Sequence, residues 1–270
     1  MALWQGLSDE QIELEYNPRH AVPDFQRHFE WREVESRRYR ESHGAPQSFT
    51  YGPGERQAVD FFPHPGSRTT FCFIHGGAWR AGSRANFHYM APAMRALGLS
   101  FASIGYPLAP QATMREMALA VADAFALLTR KVSGDIILSG HSAGAQLASL
   151  LLLSHPAADR VTGALLLSGL YDLSAVARTT INDDVKLSDD EIAEFTPFGA
   201  SKGWAAPTRA VVGGLETEAF KEESNRILAL APASASHYVA LANENHFSIV
   251  RQFADVASPL NAELQALAAG

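Results

Sequence analysis

Gly140-His141-Ser142-Ala143-Gly144 follows the apolar run 135–138 and opens a helical pattern over 143–153. It reads Gly-x-Ser-x-Gly in a strand–turn–helix setting. A serine at so sharp a turn sits in a strained backbone, and the residues two before and two after it must lack bulk. The turn exposes the hydroxyl, and the first amides of the following helix point into the same space. Ser142 is therefore the candidate nucleophile.

Outward from this turn, apolar runs and helical patterns alternate. Runs at 70–75, 100–104, 135–138, 163–167, 208–212 and 237–241 are strand-like, and the segments 85–97, 113–130, 143–153, 217–230 and 258–268 are helix-like. Continuous apolar strands separated by helices predict a parallel sheet covered on both faces. Segments 48–51 and 57–62, joined by Gly52-Pro53-Gly54, predict a hairpin that makes the sheet mixed. Residues 1–45 read as a helical extension: a capping box at Ser8-Asp9-Glu10-Gln11 starts one helix, Asn17-Pro18 ends it, and a second runs over 23–41 with Phe25, Phe29, Arg32 and Ser36 near one face. Residues 172–204, with the acidic run Asp189-Asp190-Glu191, are long for a loop and predict a cap or rim of short helices. No linker composition divides the chain, so 1–270 reads as a single domain.

Composition excludes several function classes. A chain of 270 residues with 47% hydrophobic and 19% charged residues is long enough for a large core. A single cysteine, Cys72, excludes a disulfide scaffold and a multi-cysteine zinc module. Mid-strand between Phe71 and Phe73, it reads as a small buried hydrophobe. The net charge of −7 disfavours nucleic acid as a partner. Asp9, Glu10, Glu13 and Glu15 leave no room for a secretory signal, and no apolar run approaches the ~18 residues of a membrane helix. The expectation is a cytoplasmic protein with no membrane partner, for which a homodimer is allowed.

His75-Gly76-Gly77-Ala78-Trp79 ends the first parallel strand. Its glycines leave amides free, and Gly76, Gly77 and Ala143 together could cradle a developing oxyanion. His75 is expected to shape this loop rather than to take part in chemistry.

These two motifs resemble the α/β-hydrolase fold, in its His-Gly-Gly branch. Ser168-Gly169-Leu170-Tyr171-Asp172-Leu173, the stretch from Val212-Gly213-Gly214-Leu215-Glu216 to Ser224, and Asn245-His246-Phe247 are similar to segments of arylformamidases (kynurenine formamidases) and their bacterial relatives. Glu15-Tyr16-Asn17-Pro18-Arg19 and the region from Asn182 to Thr196-Pro197 echo the same pattern. The resemblance implies serine chemistry on a small ester, aryl amide or formamide, with no cofactor and no metal. A carboxylesterase without a formamidase role, or a non-catalytic ligand-binding protein on the same fold, are the alternatives.

Such a fold orders its residues Ser, then Asp or Glu, then His. Of the ten histidines, His246 alone follows the last strand on a polar loop, which makes it the candidate base. For the acid, Glu216 lies just past the strand 208–212, Asp172 follows the preceding strand, and Glu218 opens the next helix. Glu216 is preferred, with the other two open. Trp79, Tyr16, Tyr106, Phe247 and Trp204 are candidates to line an aromatic substrate pocket, Trp79 foremost because it follows the glycines directly.

Overall fold

The computed structural model describes residues 4–269, so residues 1–3 of the expected extension, and Gly270, lie outside the described residues. Eight strands form one sheet: β1 (Gln47–Thr50), β2 (Ala58–Phe62), β3 (Thr69–Ile74), β4 (Ser100–Ile104), β5 (Asp135–His141), β6 (Val161–Leu167), β7 (Thr208–Gly213) and β8 (His237–Leu241), in the order β1-β2-β4-β3-β5-β6-β7-β8. β1 and β2 make the expected antiparallel hairpin, β2 also runs antiparallel to β4, and the remaining six strands are parallel. This is the mixed α/β sheet that the alternation of runs predicts.

The alternating pleat divides the core into two layers. Phe71, Phe73, Phe101, Ile137 and Leu165 join one with Phe87, Phe253 and Leu264; Cys72, Ile74, Ala102 and Leu138 join the other with Met117, Val121 and Leu147. Both faces are therefore covered, which is why the central strands are apolar without interruption. Helix α4 (Met114–Lys131) begins at a Thr113–Glu116 capping box, and α5 (Ala143–Ser154) starts directly at the serine turn.

The extension folds as two helices. α1 (Asp9–Tyr16) opens on the Ser8–Gln11 capping box, and α2 (Gln26–His43) ends at Gly44, whose φ of +87° a side chain would resist. The helix expected over 85–97 is broken: a 3₁₀ segment, Arg84–Met90, precedes α3 (Ala91–Ala96), and Pro92, which lacks an amide hydrogen, is seated at the start of α3 where none is needed. The expected helix over 217–230 likewise closes as 3₁₀ after α9 (Glu218–Arg226). The stretch 172–204 contains α6 (Leu173–Val176), α7 (Asn182–Val185) and α8 (Asp189–Phe195). Its acidic run is the first turn of α8, where carboxylates meet the positive end of the helix. The chain closes on α10 (Pro259–Ala268). Among the described residues no helix is long and apolar enough to cross a membrane.

Candidate active site

Ser142 sits between β5 and α5 with φ +55° and ψ −124°, a left-handed conformation that costs a residue with a β-carbon about 1–3 kcal/mol. The neighbours hold it there. A β-carbon on Gly140 would lie 2.2 Å from the Gly144 carbonyl oxygen, and one on Gly144 would lie 2.1 Å from that of Ile74. No larger residue fits either place, so the glycines on both sides of the serine follow from packing of β3, β5 and α5. The Ser142 amide donates to the Leu167 carbonyl at 2.9 Å, tying the turn to the end of β6.

His246 lies on the loop after β8, buried with 3% exposure. Its Nδ1 meets Glu216 Oε2 at 2.7 Å. The other carboxylate oxygen, Oε1, accepts from the Ser168 hydroxyl at 2.6 Å and from the Gly213 amide at 2.7 Å. Every polar edge of Glu216 is thus committed, and the ring is turned to a fixed direction. The loop itself is an Asx turn: Asn245 Oδ1 accepts from the Phe247 and Ser248 amides, each at 2.9 Å. His141 adds a strut, its Nε2–H donating to the His246 carbonyl at 2.9 Å. Burial, with the neighbouring His246 ring and the Arg32 guanidinium adding to it, pushes His141 well below the usual histidine range.

Ser142 and His246 share the walls of one cavity of about 190 Å³. Among the described residues no hydrogen bond joins the serine hydroxyl to the ring; such contacts tighten when substrate closes a site. Gly76 and Gly77 line the same space, and among the described residues the amides of Gly76, Gly77 and Ala143 have no acceptor. A β-carbon on Gly76 would stand 2.5 Å from the His141 carbonyl oxygen and 3.0 Å from Ser142 Cβ, so only glycine brings this loop against the serine. The arrangement holds a serine hydroxyl, a buried imidazole–carboxylate pair and unpaired amide donors about one space.

The alpha/beta hydrolase fold family matches residues 71–212, more than half of the chain. This chain is an α/β hydrolase. It is similar to kynurenine formamidase from Danio rerio, 26% identical with 94% of each chain covered, and to kynurenine formamidase from Salmo salar, 24% identical over 94% of this chain and 95% of that one. Among solved structures it resembles a provisionally assigned thioesterase from Silicibacter sp., with a TM-score of 0.84 and 25% identity over 96% of this chain and 99% of the other. Esterase LipW from Mycobacterium marinum shares the fold at a TM-score of 0.67 and 15% identity, covering 96% and 93%.

Of the residues expected at the site of this hydrolase, Ser142, His246, Gly76, Gly77 and Phe247 line the cavity, and Glu216 and Ala143 stand directly behind them. The two other carboxylates lie apart. Asp172 caps α6 and accepts from Trp4 Nε1 at 3.0 Å; Glu218 is exposed beside Lys221. The aromatic expectation is corrected for four residues. Trp79 is fully buried in the core and reaches Gln146 Oε1 at 3.3 Å; Trp204 donates to Thr208 Oγ1 at 2.8 Å. Tyr106 stacks on His75 at 4.4 Å and donates to its carbonyl, supporting the glycine loop from behind. Tyr16 donates to Glu223 at 2.8 Å. Each of these rings has its polar group satisfied inside the protein, which turns it away from the cavity. His75 shapes the loop, its Nδ1–H donating to the Gly76 carbonyl at 2.8 Å, and burial lowers it to about 4.

Sequence reasoning did not assign Phe29, Phe87, Arg19 and Arg32, all of which line the cavity of this hydrolase. Arg32 carried a signal, a charge on the helix face it shares with Phe25, Phe29 and Ser36. It also left Glu15 and Glu223 unassigned. Glu15 Oε2 accepts from the Ala219 amide at 3.0 Å and the Glu15 carbonyl accepts from the Thr217 hydroxyl at 2.6 Å. Glu223, buried in α9, accepts from the Tyr16 hydroxyl and from the Asp172 amide at 3.1 Å. The extension thus clamps the segment immediately after Glu216.

Proposed function

We propose that this hydrolase cleaves a small carboxylic ester or an aryl amide or formamide through a serine acyl-enzyme, in the manner of an arylformamidase. The observation that carries the reading is the His246–Glu216 pair at 2.7 Å in a buried wall that faces Ser142. His246 takes the Ser142 proton as the serine oxygen attacks the carbonyl. Glu216, bonded at Nδ1, keeps the proton there so that Nε2 is the base, and it stabilises the imidazolium that forms. The amides of Gly76, Gly77 and Ala143 receive the oxyanion. His246 then protonates the leaving amine or alkoxide, and water, activated by the same ring, releases the acid.

Substrate class draws on two observations. The kynurenine formamidase relatives cover nearly the whole chain. Phe29, Phe87 and Phe247 supply flat apolar walls suited to an aryl group, within a volume of about 190 Å³ that suits a small acyl group. The test is kcat/KM for N-formylkynurenine beside p-nitrophenyl acetate. A value of about 10⁴ M⁻¹s⁻¹ or above for the formamide supports a formamidase. Full activity on the ester with no cleavage of the formamide makes the protein a carboxylesterase instead.

A further inference from the structure

Among the described residues, Arg32 is the buried charged side chain of the cavity wall that no carboxylate answers. It is 5% exposed. Its Nε donates to the His28 carbonyl at 3.2 Å, and its guanidinium carbon lies 4.6 Å from the Phe29 ring and 5.2 Å from the Phe87 ring. These contacts fix the plane of the group without neutralising it. Among the described residues no carboxylate pairs with Arg32, and no group accepts from its two terminal nitrogens. Burial lowers its pKa only to about 10, so it remains a cation at neutral pH.

An unpaired buried charge is unfavourable unless something meets it. The other charges on the cavity wall do not. Arg80 is paired with Asp184 at 2.7 Å, Arg19 is a further cation at the exposed rim, and Glu33, the one carboxylate in the wall among the described residues, is solvent-exposed. A protein of net charge −7 therefore presents a locally cationic cavity beside its reactive serine. A fork of nitrogens held between two aromatic rings matches a planar carboxylate, which can accept from both terminal nitrogens at once.

Resting on the serine-hydrolase reading above, we propose that the substrate carries a carboxylate and that Arg32 binds it, with Arg19 at the rim drawing the anion in. Arg32 is then a specificity-determining residue donated by the N-terminal extension. No bond is made or broken there.

The experiment uses two matched pairs on the full chain. Methyl 3-acetoxybenzoate against 3-acetoxybenzoate places the charge on the leaving group; phenyl methyl adipate against phenyl hydrogen adipate places it on the acyl group. In at least one pair the acid is expected to exceed its methyl ester in kcat/KM by about 10-fold or more, and the pair that responds identifies the side that faces Arg32. Arg32→Gln is expected to collapse that ratio by about 10- to 100-fold, mainly through KM, and Arg32→Lys to restore part of it. Calorimetric titration of the wild-type protein with benzoate and benzamide reads the subsite without turnover, and benzoate is expected to bind the more tightly. Neutral esters equal to or better than the acids in both pairs, or a preference that survives Arg32→Gln, overturns the proposal while leaving the hydrolase reading intact. Inactivity on all four esters and on N-formylkynurenine overturns the serine acyl-enzyme reading, and equal affinity for benzoate and benzamide overturns the subsite whether or not turnover is seen.

Discussion

The turn at Ser142 and the N-terminal extension both border the cavity, yet they reach it by opposite routes. The turn is local: five consecutive residues, Gly140 to Gly144, set the backbone, and their spacing follows from carbonyls that approach within 2.2 Å of where a side chain would begin. The extension is assembled at a distance. Glu15 and Tyr16 grip the segment that follows Glu216, some 200 residues later in the chain, and Arg32 enters the wall from the middle of α2. The difference assigns the two regions different work. On the proposed reading, chemistry sits on strand ends that a short motif can encode, and recognition sits on side chains that only the folded chain brings near.

The comparison breaks first if the turn is not where the reaction happens. Ser142→Ala is expected to lower kcat by about 10⁴-fold or more while the thermal unfolding midpoint stays close to wild type, because the methyl group keeps the same backbone. Steady-state rates and a melt on one preparation check both halves.

Glu216→Gln is expected to cost about 10²- to 10⁴-fold, since the amide keeps the bulk but removes the charge that steadies the imidazolium and can select the wrong tautomer. Asp172→Asn and Glu218→Gln, assayed beside it, are expected to stay near wild-type activity, as neither carboxylate lies beside His246. A crippled Asp172→Asn variant would move the acid to the end of β6. Removing the Ser168 hydroxyl is a milder perturbation. Ser168→Ala leaves Glu216 with the Gly213 amide and His246, so a loss of roughly 10-fold in kcat is expected.

The smallest effect falls on the extension and is read in stability. Glu223 is fully buried, and that burial raises its carboxyl from 4.5 to about 7, against the pull of the Tyr171 and Asp172 amides and the Tyr16 hydroxyl. A carboxyl whose folded value is raised contributes its full stability below about 4.5 and loses it as pH climbs through about 7. Between pH 5 and pH 8 the wild-type protein is therefore expected to lose a few degrees in Tm relative to Glu223→Gln. Parallel melts at the two pH values measure the gap, and a gap that does not change with pH removes the buried carboxyl as its source.

The parallel strands were legible because both of their faces are buried, which leaves an unbroken apolar run that few other structures produce. The order Ser142, Glu216, His246 was legible because each residue sits just past a strand, at a position where the chain must turn. The aromatic wall was not. Trp79 stands one residue beyond the glycine loop in sequence, yet Gln146 satisfies its indole inside the core, while Phe29 and Phe87 come from α2 and the 3₁₀ segment Arg84–Met90. Sequence proximity to a reactive residue says little about which ring faces it, because the direction of a side chain is set by partners far along the chain. Arg32 was visible only as a charge on a helix face with Phe25 and Phe29, and its meaning depended on finding no carboxylate beside it among the described residues.

The most direct test of the central claim is intact-mass analysis after treatment with a fluorophosphonate, with peptide mapping and residual p-nitrophenyl acetate turnover on the same samples. The account expects one adduct per chain, on Ser142, with activity falling in proportion to labelling and no adduct on Ser142→Ala. Labelling at another residue, or full turnover by a chain quantitatively modified at Ser142, would contradict it.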